Sequence, residues 1–543
     1  MSVTIDKILA AAPTTTRGQP TQLSCDAKGE RIAYASGKSI FVRSIDSPEV
    51  CKQYVGHTAS TTVARFSPSG FYVASGDVSG QVRVWDAVEA VNTKGEYHII
   101  SGRINDIAWD GDSQRIIAVG DGRERFGHCI TADSGNSVGE VSGHSKRVHL
   151  YDGKTGEHKG EVGSGTDHTG SVFAVAWAPD SKRFVTASAD QTVRIWDAEA
   201  GKVTHTWRLG PSDGSSSVAD QQVGVAWPAG RTDGLIISLS LSGDLNYLSE
   251  SSDRPIRVVQ GHNKSITAMG YESDKNLWTG SFDGRVCRWD MAAGKSEVVD
   301  KSSHTNQVTG FAESSDKVYS VGWDDQLRTD DGSGALPAAL GAQPRGVAAS
   351  GNLLVVALAD GVAVYKPTGD LVSKLETKFT PTTIAAHKSS LVAVGGADNN
   401  AVVVYKLGGD GKLVEAERLT KSTAPVTALA FSPDGKALAT GNASGKIIAY
   451  STAAGWEVLT DRWSAHTARV TTIAWNAAGT HAVSGALDTN VHLWSLAKPG
   501  ARVKAPNAHK DGVNGVAWVQ NDQKVASAGA DGAVKIWDVS GLQ

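Results

Sequence analysis

The chain has 543 residues, of which 40% are hydrophobic and 20% charged, with 60 glycines and a net charge of −4. That length allows several domains, and the slightly acidic balance argues against a protein built to grip nucleic acid. Its four cysteines, Cys25, Cys51, Cys129 and Cys287, are at least 26 positions apart, so they offer no CxxC pair or zinc spacing and suit a reducing compartment.

In chain order, Met1 to Ala12 has only a short apolar patch and lacks the basic flank and long apolar run of a signal peptide. Val3 to Ala11 precedes the first repeat and is expected to add a closing strand to a ring, preferably the C-terminal one. From residue 13 onward the text repeats itself. Short runs with period-two alternation, such as Val470-Thr471-Thr472-Ile473-Ala474-Trp475, are cut by Gly, Asp, Asn and Pro, which is a strand pattern. An aromatic residue before a closing acid or hydroxyl gives a ruler. Trp85, Trp196, Trp289, Trp494 and Trp537 hold that place, and Tyr247, Tyr365, Tyr405 and Tyr450 hold it in weaker copies. From Tyr405 the steps are 45, 44 and 43 residues, the period of one four-stranded blade.

Gly-His or Ala-His opens many repeats, and a turn acid follows 21 or 22 residues after the histidine. Two sets are assigned as structural hydrogen-bond tetrads: His168, Ser188, Asp190, Trp196, and His262, Ser281, Asp283, Trp289. A Ser-His-Asp hydrolase triad is the competing reading. It is disfavoured because the set recurs once per repeat and no G-x-S-x-G elbow holds either serine. No catalytic residue, metal site or cofactor is expected. The longest aliphatic run, Leu353 to Leu358, is far short of the ~20 residues of a membrane span. The expectation is therefore a soluble cytoplasmic protein without membrane insertion.

With Tyr151 and the degenerate copies Arg43, Ile130 and Asp330 the closing positions number thirteen, too many for one ring of four to eight blades. Two rings are expected, an N-terminal propeller over 13–258 and a seven-bladed C-terminal propeller over 259–543. The step from Ile130 to Tyr151 is only 21 residues. There one repeat opens and another closes at once, as if about 22 residues of one repeat or about 65 across two were missing at 146–147; the longer gap is preferred to the shorter one and to a naturally degenerate blade. The first ring is thus expected to be shortened, and strained or loosely closed, near 140–155.

These features resemble the WD-repeat family, and the fold expected is all-β, two tandem WD-repeat β-propellers. The segments GDGRERFGHCITADSG (120–135), GKSIFVRSID (37–46) and LYDGKTGEHKGEV (150–162) are similar to the actin-interacting protein 1 family. That resemblance implies a monomeric cofactor of cofilin in actin-rich cortical structures. It implies binding to cofilin-bearing actin filaments, promotion of their severing and disassembly, and capping of barbed ends. A general WD-repeat scaffold for another multiprotein complex is the alternative. Arg123, Glu124, Arg125 and Phe126 are the candidate actin- or cofilin-binding residues, since arginine and aromatic residues are enriched at interface hot spots. Trp323, Asp324, Asp325, Trp456 and Trp463 are weaker candidates, with blade packing the favoured reading.

Overall fold

The computed structural model describes residues 3–122, 126–141, 150–151, 158–160, 168–210, 217–272, 276–329, 334–336, 339–453 and 455–542. Among them the chain forms thirteen antiparallel sheets, twelve of four strands and one of two. Each four-stranded sheet is one propeller blade. The middle strands are Val-, Ala- and Ile-rich because both their faces are covered by neighbouring blades. Arg31–Ser36 and Leu391–Gly396 are buried along nearly their whole length. Outer strands such as Lys202–Arg208 alternate between exposed and covered residues.

Two compact units result, residues 10–263 and residues 1–9 with 264–543. The C-terminal unit has seven four-stranded blades. The expected closing strand is Thr4–Leu9, which pairs antiparallel with Val534–Asp538 and completes the blade of Val513–Val519 and Lys524–Gly529. One apolar cluster joins that last blade to the first, with Leu9, Ile266, Leu277, Trp289, Ala517 and Val534 in common packing. Tight turns seat each blade against the next. Gly284 and Gly445 both have φ +90°, and an added Cβ would meet the carbonyl oxygens of His304 and His466 at 2.2 and 2.3 Å. Only glycine fits such a turn.

Most inner strands carry a β-bulge after their first residue, as between Thr61 and Val63 or Val470 and Thr472. The extra residue points sideways and hooks the neighbouring blade. Thr267 Oγ1 donates to Val308 O (2.7 Å), Thr382 to Val426 O (2.5 Å) and Thr427 to Val470 O (2.6 Å). Thr471 reaches Val513 O in the same way. Asn514 Nδ2 then donates to Ile266 O at 2.7 Å, from the last blade back to the first, so the ring is closed by the device that links its blades.

The N-terminal unit has five four-stranded blades and the two-stranded sheet Leu150–Tyr151 with His158–Gly160. Its first and last blades meet where Thr21 N–H donates to Val223 O (2.9 Å) and Arg231 pairs with Asp46 (3.0 Å). Most of the shortened stretch at 140–155 lies outside the described residues.

Candidate functional site

The recurring polar unit lies inside each blade. In the Trp85 blade, His57 Nδ1 meets Asp77 Oδ2 (2.8 Å), His57 Nε2 meets Ser75 Oγ (2.7 Å), and the Trp85 indole N–H donates to Ser75 Oγ (2.9 Å). The same chain runs through His466, Asp488, Ser484 and Trp494, and through His509, Asp531, Ser527 and Trp537. His304, Asp324 and Ser320 repeat it without the tryptophan.

The first assigned tetrad needs one correction. His168 Nδ1 meets Asp190 Oδ2 (2.8 Å), but the hydroxyl shared by His168 Nε2 and the Trp196 indole is Thr186, at 2.8 Å from each. Ser188 instead donates to Gly170 O (3.2 Å) and accepts from the Asp190 N–H. The second assigned set changes in the same way. Trp289 donates to Thr279 Oγ1 (2.6 Å), while Ser281 bonds to Asp283, which is exposed, and His262 is fully buried. The physical reason is parity. Thr186 and Ser188 share one face of the same strand, so period-two reasoning cannot separate them. Only the hydroxyl ten residues before the tryptophan lies under the indole.

This connectivity matches the hydrogen-bond order of a hydrolase triad, but its groups are sealed. His57 and Ser75 are 0% exposed and Asp77 1%. A nucleophile needs access to its substrate, and these hydroxyls are instead occupied by an indole. Burial pushes the Asp77 carboxyl upward, but hydrogen bonds from His57 and Ser79 outweigh it and hold the group at about 2. Asp324 is held at about 2 by the same balance, with burial opposed by His304. Buried acid–imidazole pairs of this kind fix strand to turn.

Of the four candidate contact residues, Arg123, Glu124 and Arg125 lie outside the described residues. Phe126 is 47% exposed and precedes the strand Gly127–Thr131. Its carbonyl accepts from Gly120 N–H at 2.8 Å. Among the weaker candidates, Asp324 is absorbed by His304 and Trp463 is 0% exposed, its ring 5.8 Å from those of Trp475 and Trp494. Trp456 packs against the cluster around Tyr450.

Three features escaped the sequence reading. The interblade hooks, led by Thr62, Thr267 and Asn514, look like ordinary alternation residues until the bulge turns them. A row on Val172–Trp177 is open, with Val172 43%, Val175 49% and Trp177 48% exposed. His492, 26 residues beyond His466, comes to face it at 4.6 Å between ring centres.

A model described as WD domain, G-beta repeat matches residues 48–86, 160–197, 253–290 and 500–538. The Anaphase-promoting complex subunit 4 WD40 domain matches 385–478. Over the whole chain, an uncharacterized WD repeat-containing protein of Schizosaccharomyces pombe is 39% identical across 605 positions, covering 99% of this chain and all of that protein. Actin-interacting protein 1 of Drosophila melanogaster is 34% identical across 610 positions, with 98% of each covered. WD repeat-containing protein 1 of Gallus gallus is 32% identical across 618 positions, with 99% of each covered. These alignments exceed the 543 residues present here by more than one blade's length. No helix among the described residues is long and apolar enough to cross a membrane.

Proposed function

Because the chain belongs to the WD-repeat family of actin-interacting protein 1 and WD repeat-containing protein 1, we propose that it binds actin filaments and, together with cofilin, promotes their disassembly. The observation that carries this reading is the 34% identity to the Drosophila protein over nearly the whole of both chains. The physics of the blades agrees with it. Their recurrent polar groups are spent inside, on holding strands in place, which leaves loops and edges as the working surface. A stiff platform of this kind acts by differential binding. It favours whichever filament state it grips better, here the cofilin-bearing one, and shifts the population toward severing. Seated on a fragment's barbed end, it blocks subunit addition. In this reading the cytoplasmic, cortical actin network is where it works, and it works as a monomer and not as an enzyme.

The filament contact is assigned to the N-terminal propeller, 13–258, with Arg123, Glu124, Arg125 and Phe126 in it; the C-terminal propeller takes 259–543. Co-sedimentation with filaments, with and without cofilin, tests the reading. The protein is expected in the pellet mainly when cofilin is present. Glu124→Ala and Phe126→Ala are each expected to weaken that binding about tenfold while leaving thermal unfolding unchanged. Equal pelleting with and without cofilin, or none in either, contradicts the proposal. The match of 385–478 to the Anaphase-promoting complex subunit 4 domain favours the other reading, a general scaffold. That reading predicts stable partners other than actin and no change in filament turnover.

A further inference from the structure

His492 stands in the strand Val491–Ser495 of the C-terminal unit, two residues before Trp494. It is 2% exposed, and neither ring nitrogen has a hydrogen-bond partner among the described residues. An imidazole offers one donor and one acceptor, and burying both unmet is costly. The ring meets His466 edge to face, and one donor atom from each of His466, Asp488 and His492 falls within 4.8 Å of the others.

The corresponding position in other blades says what is absent here. In the blades of the His57, His168, His304 and His509 pairs it holds a cation, Arg83, Arg194, Arg328 and Lys535, each opposite the tetrad hydroxyl as His492 is opposite Ser484. Arg194 lies 3.8 Å from the tetrad carboxylate of Asp190, and Arg328 lies 3.4 Å from that of Asp324. In the Trp494 blade the carboxylate is present, 4% exposed and fixed by the N–H groups of Thr467 (2.9 Å) and Asn490 (3.1 Å). The fixed cation is replaced by an imidazole.

We propose that His466, Asp488 and His492 form a binding site for a divalent transition metal ion, Zn2+ in the first instance. Two imidazoles and a carboxylate are a donor set suited to this ion. The metal supplies the positive charge that an arginine supplies elsewhere, and it occupies a nitrogen of His492. The buried ring of His492, with neither nitrogen hydrogen-bonded among the described residues, offers the ion a lone pair. His466 binds through Nδ1, the nitrogen facing Asp488, and its proton shifts to Nε2, which then donates a hydrogen bond to Ser484 Oγ. No proton is released overall. Ser484, already 2.8 Å from that nitrogen, orients the ligand from behind. Lys504, paired across the strand from His492, opposes any cation, so binding is weaker than in a four-ligand structural site.

The test titrates the chelator-treated full chain with Zn2+ by calorimetry and with Co2+ by visible absorption. Wild type is expected to take up one ion per chain and to show the intense bands of low-coordinate Co2+. His492→Arg, which restores the residue of the His57, His168 and His304 blades, and His492→Gln are expected to fold with the wild-type circular dichroism spectrum and to bind at least about tenfold more weakly. Absence of saturable uptake by the wild type overturns the proposal whatever the variants do. Uptake by His492→Arg equal to that of the wild type overturns it as well.

Discussion

Two inner strands of identical design have different surroundings. Val470–Trp475, in the C-terminal unit, is covered by its neighbours, with Trp475 7% exposed and its indole donating to Ala430 O at 3.0 Å in the preceding blade. Val172–Trp177, in the N-terminal unit, has Trp177 at 48% exposed. The hooks differ in parallel. Asn514 reaches across to Ile266 and closes its ring, whereas Asn105, at the matching bulge, donates to Asp121 of its own blade at 2.7 Å. The comparison teaches that a blade's sequence specifies its own strands but not its burial. Burial comes from the neighbouring blade, and the repeat that precedes Val172 is the one in which the closing positions Ile130 and Tyr151 are only 21 residues apart.

The largest expected effect is at the two tryptophans. Trp475→Ala removes a buried side chain and is expected to destabilise the C-terminal unit by about 3–5 kcal/mol. Trp177→Ala is expected to cost under about 1 kcal/mol, as for a surface change. Urea unfolding of the full chain, followed by hydrogen exchange of each unit's own peptides, reads both. Equal losses would break the comparison.

Next in size is an effect that should not distinguish the units. Asp77 in one and Asp324 in the other are held at about 2, below the ordinary carboxylate value of about 3.9. A depressed folded-state value gives stability that is fully present above about pH 4 and is lost as pH falls toward 2. Each pair is worth about 2 kcal/mol by this linkage. Asp77→Asn and Asp324→Asn are each expected to lower stability at pH 7, with the difference from wild type vanishing near pH 2. Thermal melts across that range check it, and a difference independent of pH would contradict it.

The smallest effect sharpens the account of the hooks. Asn514→Ala is expected to cost about 1 kcal/mol, the worth of one hydrogen bond. Asn105→Ala, at an exposed pair, is expected to fall within about 0.5 kcal/mol of wild type. Melting temperatures of the two variants against the wild type decide it.

Much of this was legible in the sequence. The tryptophan ruler, the histidine openings and the turn acids gave the thirteen repeats and two rings, because each repeat must form the same packed unit. The hydroxyl was misplaced at Ser188 and Ser281 because two positions of equal parity compete, and only the indole's reach selects Thr186 and Thr279. The hooks were hidden because a bulge leaves no mark in a period-two pattern. His466 and His492 are separated by two strands, so no spacing rule for metal ligands would join them.

Hydrogen–deuterium exchange of the amides in Val470–Trp475 and Val172–Trp177 tests most directly whether neighbouring blades supply the burial. Strong protection of the first and protection weaker by orders of magnitude for the second is the predicted result. Equal protection of the two strands would contradict it.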